Sequence, residues 1–222
     1  MIVDIKNVIK SFGDVNVLDN ITLRINEGDK IAMLGPNGAG KTTLIRAIMG
    51  YYRLNSGKIE VDGMDPVVKR TQILKKISFI PQLPPPIKIS LNDLIDYICT
   101  TTGVQKEWII REAEDMELDV RQNINKPFFK LSGGMKQKFL IAIALARKSE
   151  LYIFDEPTAN LDPKGRENFY HLLKKLDEQS SVIYVTHRLE DLEGLTNRLI
   201  YLDIGKVTED KEIKAESQEL RA

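Results

Sequence analysis

Gly35-Pro36-Asn37-Gly38-Ala39-Gly40-Lys41-Thr42 decides how this 222-residue chain folds. The octet fits G-x-x-x-x-G-K-[ST], and it stands between an apolar run, Ile31 to Leu34, and a segment that reads as a helix from Lys41 to Met49, ended by Gly50. That context is what the motif requires. Its glycines let the backbone turn so that successive N–H groups point inward, and the helix N-terminus adds partial positive charge. Lys41 then reaches the β- and γ-phosphates, and the Thr42 hydroxyl is a ligand for Mg²⁺. The stretch therefore predicts a phosphate cradle at the end of a strand.

Upstream, Ile2 to Lys6 and the alternation Ile21, Leu23, Ile25 against Thr22 and Arg24 read as strands, followed by Lys30 to Leu34 after the turn Asn26-Glu27-Gly28-Asp29. Antiparallel pairing of the last two is the simplest arrangement. Downstream, Gly57 to Gly63 alternates as a strand, and Ile77 to Ile80 is a short apolar strand stopped by Pro81. Pro84-Pro85-Pro86 cannot continue a helix or a central strand. After it, Ser90-Leu91-Asn92-Asp93 has the form of a capping box opening a helix through Thr100. A second helix runs from about Gln105 to Glu117, and Ser132 caps a third from Gly133 to Lys148.

From there strand and helix alternate, which implies a parallel sheet. The strands are Leu151 to Phe154, Val182 to Val185 and Leu199 to Leu202; the helices are Pro163 to Gln179 and Arg188 to Gly194. In the longer helix Phe169, Leu172, Leu173 and Leu176 form one apolar stripe, with Asp162 and Pro163 as its start signal. His171 lies off that stripe and reads as solvated, whereas Trp108 and Cys99 read as packing residues. The charged tail from Gly205 is expected to fray.

Two further places carry chemistry. Leu151-Tyr152-Ile153-Phe154-Asp155-Glu156 is an apolar strand ending in two carboxylates. In an open α/β sheet ligands sit at the carboxyl ends of the strands, so Asp155 is suited to the Mg²⁺ shell and Glu156 to orienting or deprotonating an attacking water. Leu131-Ser132-Gly133-Gly134, immediately before a helix, is a second anion-binding terminus, with exposed glycine N–H groups and a serine hydroxyl.

Together these motifs resemble the ATP-binding cassette (ABC) ATPases, the nucleotide-binding subunits of ABC transporters, and the resemblance covers essentially the whole chain. GPNGAGKT is similar to their Walker A, LYIFDE to their Walker B with its catalytic glutamate, and LSGG to their signature, whose usual fifth residue, glutamine, is Met135 here. Gln82 in FIPQ matches the Q-loop, Ala159-Asn160-Leu161-Asp162 the D-loop, and His187 after VIYVT the H-loop. Phe12 in KSFG stands where the family places an adenine-stacking aromatic.

The resemblance implies an α/β fold: a P-loop core (31–50 and 149–204), an antiparallel β subdomain (mainly 1–30 and 57–80), an inserted helical subdomain (about 84–147) and the tail 205–222. It implies ATP and Mg²⁺ as cofactors. Phe12, Gly35 to Gly40, Lys41, Thr42, Thr43, Ser132, Gly133, Gly134 and Asp162 would contact the nucleotide; Thr42, Gln82 and Asp155 the metal; and Glu156, His187 and Gln82 would act in hydrolysis. It further implies a sandwich with a second copy or a paralogous ATPase subunit, and a membrane-spanning partner that holds the protein on the inner, cytoplasmic face of the membrane. A soluble ABC ATPase serving assembly or repair, for example of iron-sulfur clusters, is the alternative.

Composition bounds the rest. The 32 basic and 32 acidic residues cancel, so no nucleic-acid footprint is expected. One cysteine, and no Cys/His pairs at zinc spacing, excludes a disulfide framework and a structural zinc, and favours a reducing compartment. A chain of this length buries roughly 70% of its unfolded surface and needs neither. The longest apolar run, Phe139 to Ala146, is far short of the ~18 residues of a membrane span, and the N-terminus lacks the marks of a signal peptide.

Overall fold

The computed structural model describes residues 1–187 and 192–213. The fold is α/β, and the chain forms two compact units: Met1–Ile77 with the chain from Glu178 on, and Ser78–Asp177.

In the first unit, β1 (Val3–Phe12), β2 (Val15–Ile25) and β4 (Ser56–Val61) form an antiparallel sheet in the order β2-β1-β4. Val3, Ile5, Ile21, Leu23 and Ile25 are buried, as the alternation requires. The β1 alternation resets between Ile5 and Val8, where the register shifts and Asn7 takes a positive φ of 49°. There the Asn7 side-chain amide donates to Asn20 Oδ1 at 3.1 Å. Pairing with β2 resumes beyond this bulge, so β1 runs well past the expected Lys6. A two-residue turn with Gly13 at φ 58° then returns the chain into β2.

The expected pairing of 21–25 with 30–34 does not form. β2 pairs with β1, and β3 (Lys30–Leu34) lies parallel to β7 (Ser181–Val185) and β8 (Arg198–Asp203) in a second sheet. Ile31, Ala32 and Met33 are all fully buried, a pattern that suits the interior of a parallel sheet and not a hairpin with one wet face. The intervening turn makes the transfer: Gly28 N–H donates to the Gln179 carbonyl and Val182 N–H to that of Asp29.

The tail also differs from expectation. Instead of fraying at Gly205 it forms β9 (Lys206–Glu212), antiparallel to β8, through the two-residue turn Ile204-Gly205, both at positive φ. Arg198 fixes this edge with two 2.7 Å bonds to the Asp210 carboxylate and one of 2.7 Å to Asp29. α1 (Lys41–Ile48) and a short unpredicted α2 (Arg70–Leu74) complete the unit. The helix expected from Arg188 begins outside the described residues.

In the second unit β5 (Ile77–Ile80), whose first residue belongs to the other unit, stands beside β6 (Leu151–Asp155) and not in the antiparallel sheet. Between them run α3 (Leu91–Thr102), α4 (Lys106–Asp115), α5 (Val120–Asn123), a 3₁₀ turn (Phe128–Lys130) and α6 (Gly133–Ala146). Their apolar faces meet in one cluster that includes Leu91, Ile95, Ile109, Phe128, Phe139 and Ala142. Ser90 caps α3: its Oγ accepts from Asp93 N–H at 3.1 Å and donates to the Asp93 carboxylate at 2.6 Å. Cys99 packs against the cluster, but Trp108 is 40% exposed, with the Lys148 ammonium 4.5 Å from its ring centre.

α7 (Pro163–Leu173) is shorter than expected. Phe169, Leu172 and Leu173 are buried and His171 is exposed. Past Leu173 the bonds tighten to the i→i+3 kind, Lys175 N–H to Leu172 O and Leu176 N–H to Leu173 O, so the chain turns off before Gln179 and Leu176 is only half-buried.

Candidate functional site

The cradle is built in the first unit. Leu34 ends β3, and Gly35, Gly38 and Gly40 follow at φ 142°, 84° and 100°. Two of these positions admit no side chain. A Cβ on Gly35 would lie 2.0 Å from the Leu202 carbonyl oxygen of β8, and one on Gly40 2.6 Å from that of Val17. Pro36, Asn37 and Gly38 form the exposed rim, closed by a 3.1 Å bond from Ala39 N–H to the Pro36 carbonyl. Gly40 is also the N-cap of α1 and brings no side chain to its first turn, so the loop itself faces the positive end of the helix dipole.

Lys41 is 8% exposed, and its ammonium donates to the Gly35 and Pro36 carbonyls at 2.6 and 2.9 Å. A cation so held projects along the loop, where phosphate oxygens can exchange with those carbonyls. Thr42 and Thr43, one and two residues into α1, are half-buried. A support that sequence reading assigned to a loose tail lies beneath the loop: Gly205 N–H donates to the Ala39 carbonyl at 3.1 Å, and Asp19 N–H donates to the Gly205 carbonyl at 2.8 Å. The signal for it was the Asp-Ile-Gly-Lys turn after an apolar strand.

His187 is exposed, two residues beyond β7, behind the nearly buried Thr186. Phe12 ends β1 and is 45% exposed, with one ring neighbour, Tyr52, edge-on at 5.2 Å.

In the second unit Ser132 is the N-cap of α6, and its Oγ accepts from Met135 N–H at 3.2 Å. Met135 thus meets the serine through its backbone, so the residue type at that position does not alter the cap. Ser132 and Gly133 are exposed. Gly134 is pressed against the turn 158–162: a Cβ there would meet the Asn160 carbonyl oxygen at 3.1 Å. Asp162 caps α7 by accepting from Gly165 N–H at 3.1 Å, and Lys138, one turn into α6, reaches the same carboxylate at 3.5 Å. Desolvation works against the Asp162 charge, but the Gly165 N–H and the Lys138 ammonium outweigh it and hold the carboxyl below its ordinary range. The structure therefore brings the 132–134 terminus and the 159–162 turn together as one block.

Asp155, 6% exposed, ends β6. Glu156 follows at φ 50°, a left-handed conformation that a glutamate adopts only where the surroundings impose it. The reverse turn that follows, Ala159 N–H to the Glu156 carbonyl at 3.2 Å, leads directly to Asn160 and Asp162. Gln82 is exposed, two residues after β5.

The set offers two helix N-termini suited to anions and carboxylates at a strand end. Known proteins are similar to this chain along most of its length. Residues 18–159 match the family model described as ABC transporter. The chain is 33% identical over 217 residues to the glutamine transport ATP-binding protein GlnQ of Escherichia coli (strain K12), covering 94% of this chain and 90% of that one. It is 30% identical over 224 residues to the phosphate import ATP-binding protein PstB of Thermotoga maritima, covering 94% and 89%. Its fold is similar to a dimeric, post-hydrolysis ATP-binding cassette bound to ADP and Pi, with a TM-score of 0.83, 28% identity, and 96% of this chain and 99% of that one covered. The chain belongs to the ABC transporter family, as one of its ATP-binding, ATP-hydrolysing subunits.

Proposed function

We propose that this subunit works as one half of an ATP sandwich, with a second copy or a paralogous ATPase subunit as the other half. Lys41 and the 35–40 loop of one chain would hold the phosphates, and Ser132, Gly133 and Gly134 of the other would close over them. The observation that carries this reading is that one chain holds two helix termini suited to anions, one opened by Gly40-Lys41 and one capped by Ser132, each in a separate compact unit. The dimeric cassette with ADP and Pi supports it.

Within such a site Glu156 serves as the base for the attacking water, His187 as the contact to the γ-phosphate and Gln82 as the link between metal and helical segment. Asp162 positions the turn beside Ser132, and Phe12 stacks the base. The donor set fits Mg²⁺: the Thr42 hydroxyl, the Asp155 carboxylate and the Gln82 amide oxygen are hard oxygen ligands, and Mg²⁺ bound with nucleotide takes few protein ligands beside phosphate oxygens and water. When bound, the ion supplies charge neutralisation at the β- and γ-oxygens.

The coupled work is movement of a substrate across a membrane through a separate spanning subunit, which holds this protein on the inner, cytoplasmic face. Among the described residues no helix is long and apolar enough to cross a membrane itself. The docking face would lie on the helical segment, where Leu83, Ile89, Tyr97 and Trp108 are 78, 43, 63 and 40% exposed. Lys88 and Asp93 are two of the charges there. Asp93 also holds the α3 cap, so Lys88, exposed before that helix, is the cleaner probe. Lys88→Glu is expected to keep the basal ATPase activity of the isolated subunit and to lose co-fractionation with membranes and cross-linking to a spanning protein. Intact membrane association in Lys88→Glu together with collapsed basal hydrolysis would place this segment in the active site instead.

A further inference from the structure

The tip of the first hairpin carries a corner of side chains that the phosphate motifs do not explain. Phe12 and Tyr52 meet with ring centres 5.2 Å apart and planes at 80°. Lys10, two residues before Phe12 on β1, brings its ammonium within 4.8 Å of the Phe12 ring centre and 5.9 Å of that of Tyr52. The Tyr52 hydroxyl in turn accepts from Arg46 Nη1 at 3.3 Å. Arg46 stands in the last turn of α1, the helix that opens on Lys41. The strand beneath is pinned to the same stretch of chain: Ser11 N–H donates to Asn55 Oδ1 at 2.8 Å and Asn55 N–H to the Ile9 carbonyl at 2.9 Å. A continuous path thus runs from the phosphate-binding helix, through Arg46 and Tyr52, to the exposed ring of Phe12.

An exposed ring at a hairpin tip samples several orientations unless something holds it, and freezing it when a ligand arrives weakens binding. The edge of a second aromatic supplies such a hold with a preferred geometry, and a cation near both rings reinforces it. We propose that Tyr52 is a positioning residue for the nucleobase: it sets the orientation of Phe12 and keeps the base platform in register with α1. Lys10 closes the corner. The inference rests on the reading of Phe12 as the base platform, and it assigns to Tyr52 no contact with the phosphates.

The test compares Tyr52→Ala, Tyr52→Leu, Tyr52→Phe and Phe12→Ala in the full chain, measuring the affinity for ATP and for inorganic tripolyphosphate by calorimetry, with KM and kcat for ATP. Tyr52→Ala is expected to weaken ATP binding about two- to tenfold and to raise KM alike, with kcat and tripolyphosphate affinity held. Tyr52→Leu, which keeps bulk without the ring, gives the same loss, and Tyr52→Phe, which keeps the ring edge but gives up the bond from Arg46, gives a smaller one. Weakened ATP binding in Phe12→Ala with wild-type binding in both Tyr52→Ala and Tyr52→Leu overturns the positioning role. Equal losses for ATP and tripolyphosphate in the Tyr52 variants overturn it as well, since the effect is then general. Wild-type ATP affinity in Phe12→Ala overturns the platform reading itself.

Discussion

Glu156→Gln is expected to lower ATP turnover by about 10²–10⁴-fold, the range that a positioned general base contributes, while ATP still binds. The substitution preserves the size of the side chain and removes only its capacity to take a proton. Glu156 is held at φ 50° between β6 and the turn that leads to Asn160 and Asp162, and an amide tolerates that backbone as well as a carboxylate does. With the base gone and the phosphates still present, the closed sandwich should accumulate. Gel filtration with ATP is expected to show more dimer for the variant than for the wild type. Surviving turnover would remove Glu156 from the base role, and a dimer no more populated than wild type would count against closure by ATP.

Lys41→Ala is expected to reduce ATP affinity about ten- to a hundredfold, because hydrogen bonds to a charged group contribute about 1.5–3 kcal/mol and the site loses its cation toward the β- and γ-phosphates. The loop should survive the change. Its geometry is set by glycine backbone and by the bonds from Gly205 and within 36–39, and the ammonium donates to the Gly35 and Pro36 carbonyls from the side. The melting temperature without nucleotide should therefore move little, while the stabilisation by ATP falls. For the wild type at about 100 times Kd that stabilisation is about 2.7 kcal/mol. An unchanged ATP affinity would remove Lys41 from the cradle.

The chemistry was more legible in the chain than the pairing of its strands. The 35–42 octet needs glycine at two places for reasons visible only in three dimensions, the carbonyls of Leu202 and Val17, yet its spacing signalled the loop unaided. Ser132 and Asp162 both proved to be N-caps because a serine or aspartate before a helix leaves a local mark. Strand partners leave no such mark. The pairing of β2 with β1, and the removal of β3 to a parallel neighbourhood, depend on Gly28 bonding to Gln179, about 150 residues away in sequence. The β9 edge was hidden because its outward face is charged, as an exposed edge strand should be, and charge alone reads as a tail. The joining of the 132–134 terminus to the 159–162 turn through Lys138 likewise had no local signal.

A shared sandwich requires the helix termini at Lys41 and Ser132 to serve one nucleotide from two chains. Ser132→Arg, which places bulk and charge at the start of α6, and Lys41→Ala should each be inactive alone. Mixed, they can form a heterodimer in which the intact Lys41 of the first variant faces the intact Ser132 of the second, so ATPase activity should rise clearly above that of either variant by itself. Activity in the mixture no higher than in the separate proteins, with heterodimers shown to be present, would contradict a site shared between chains.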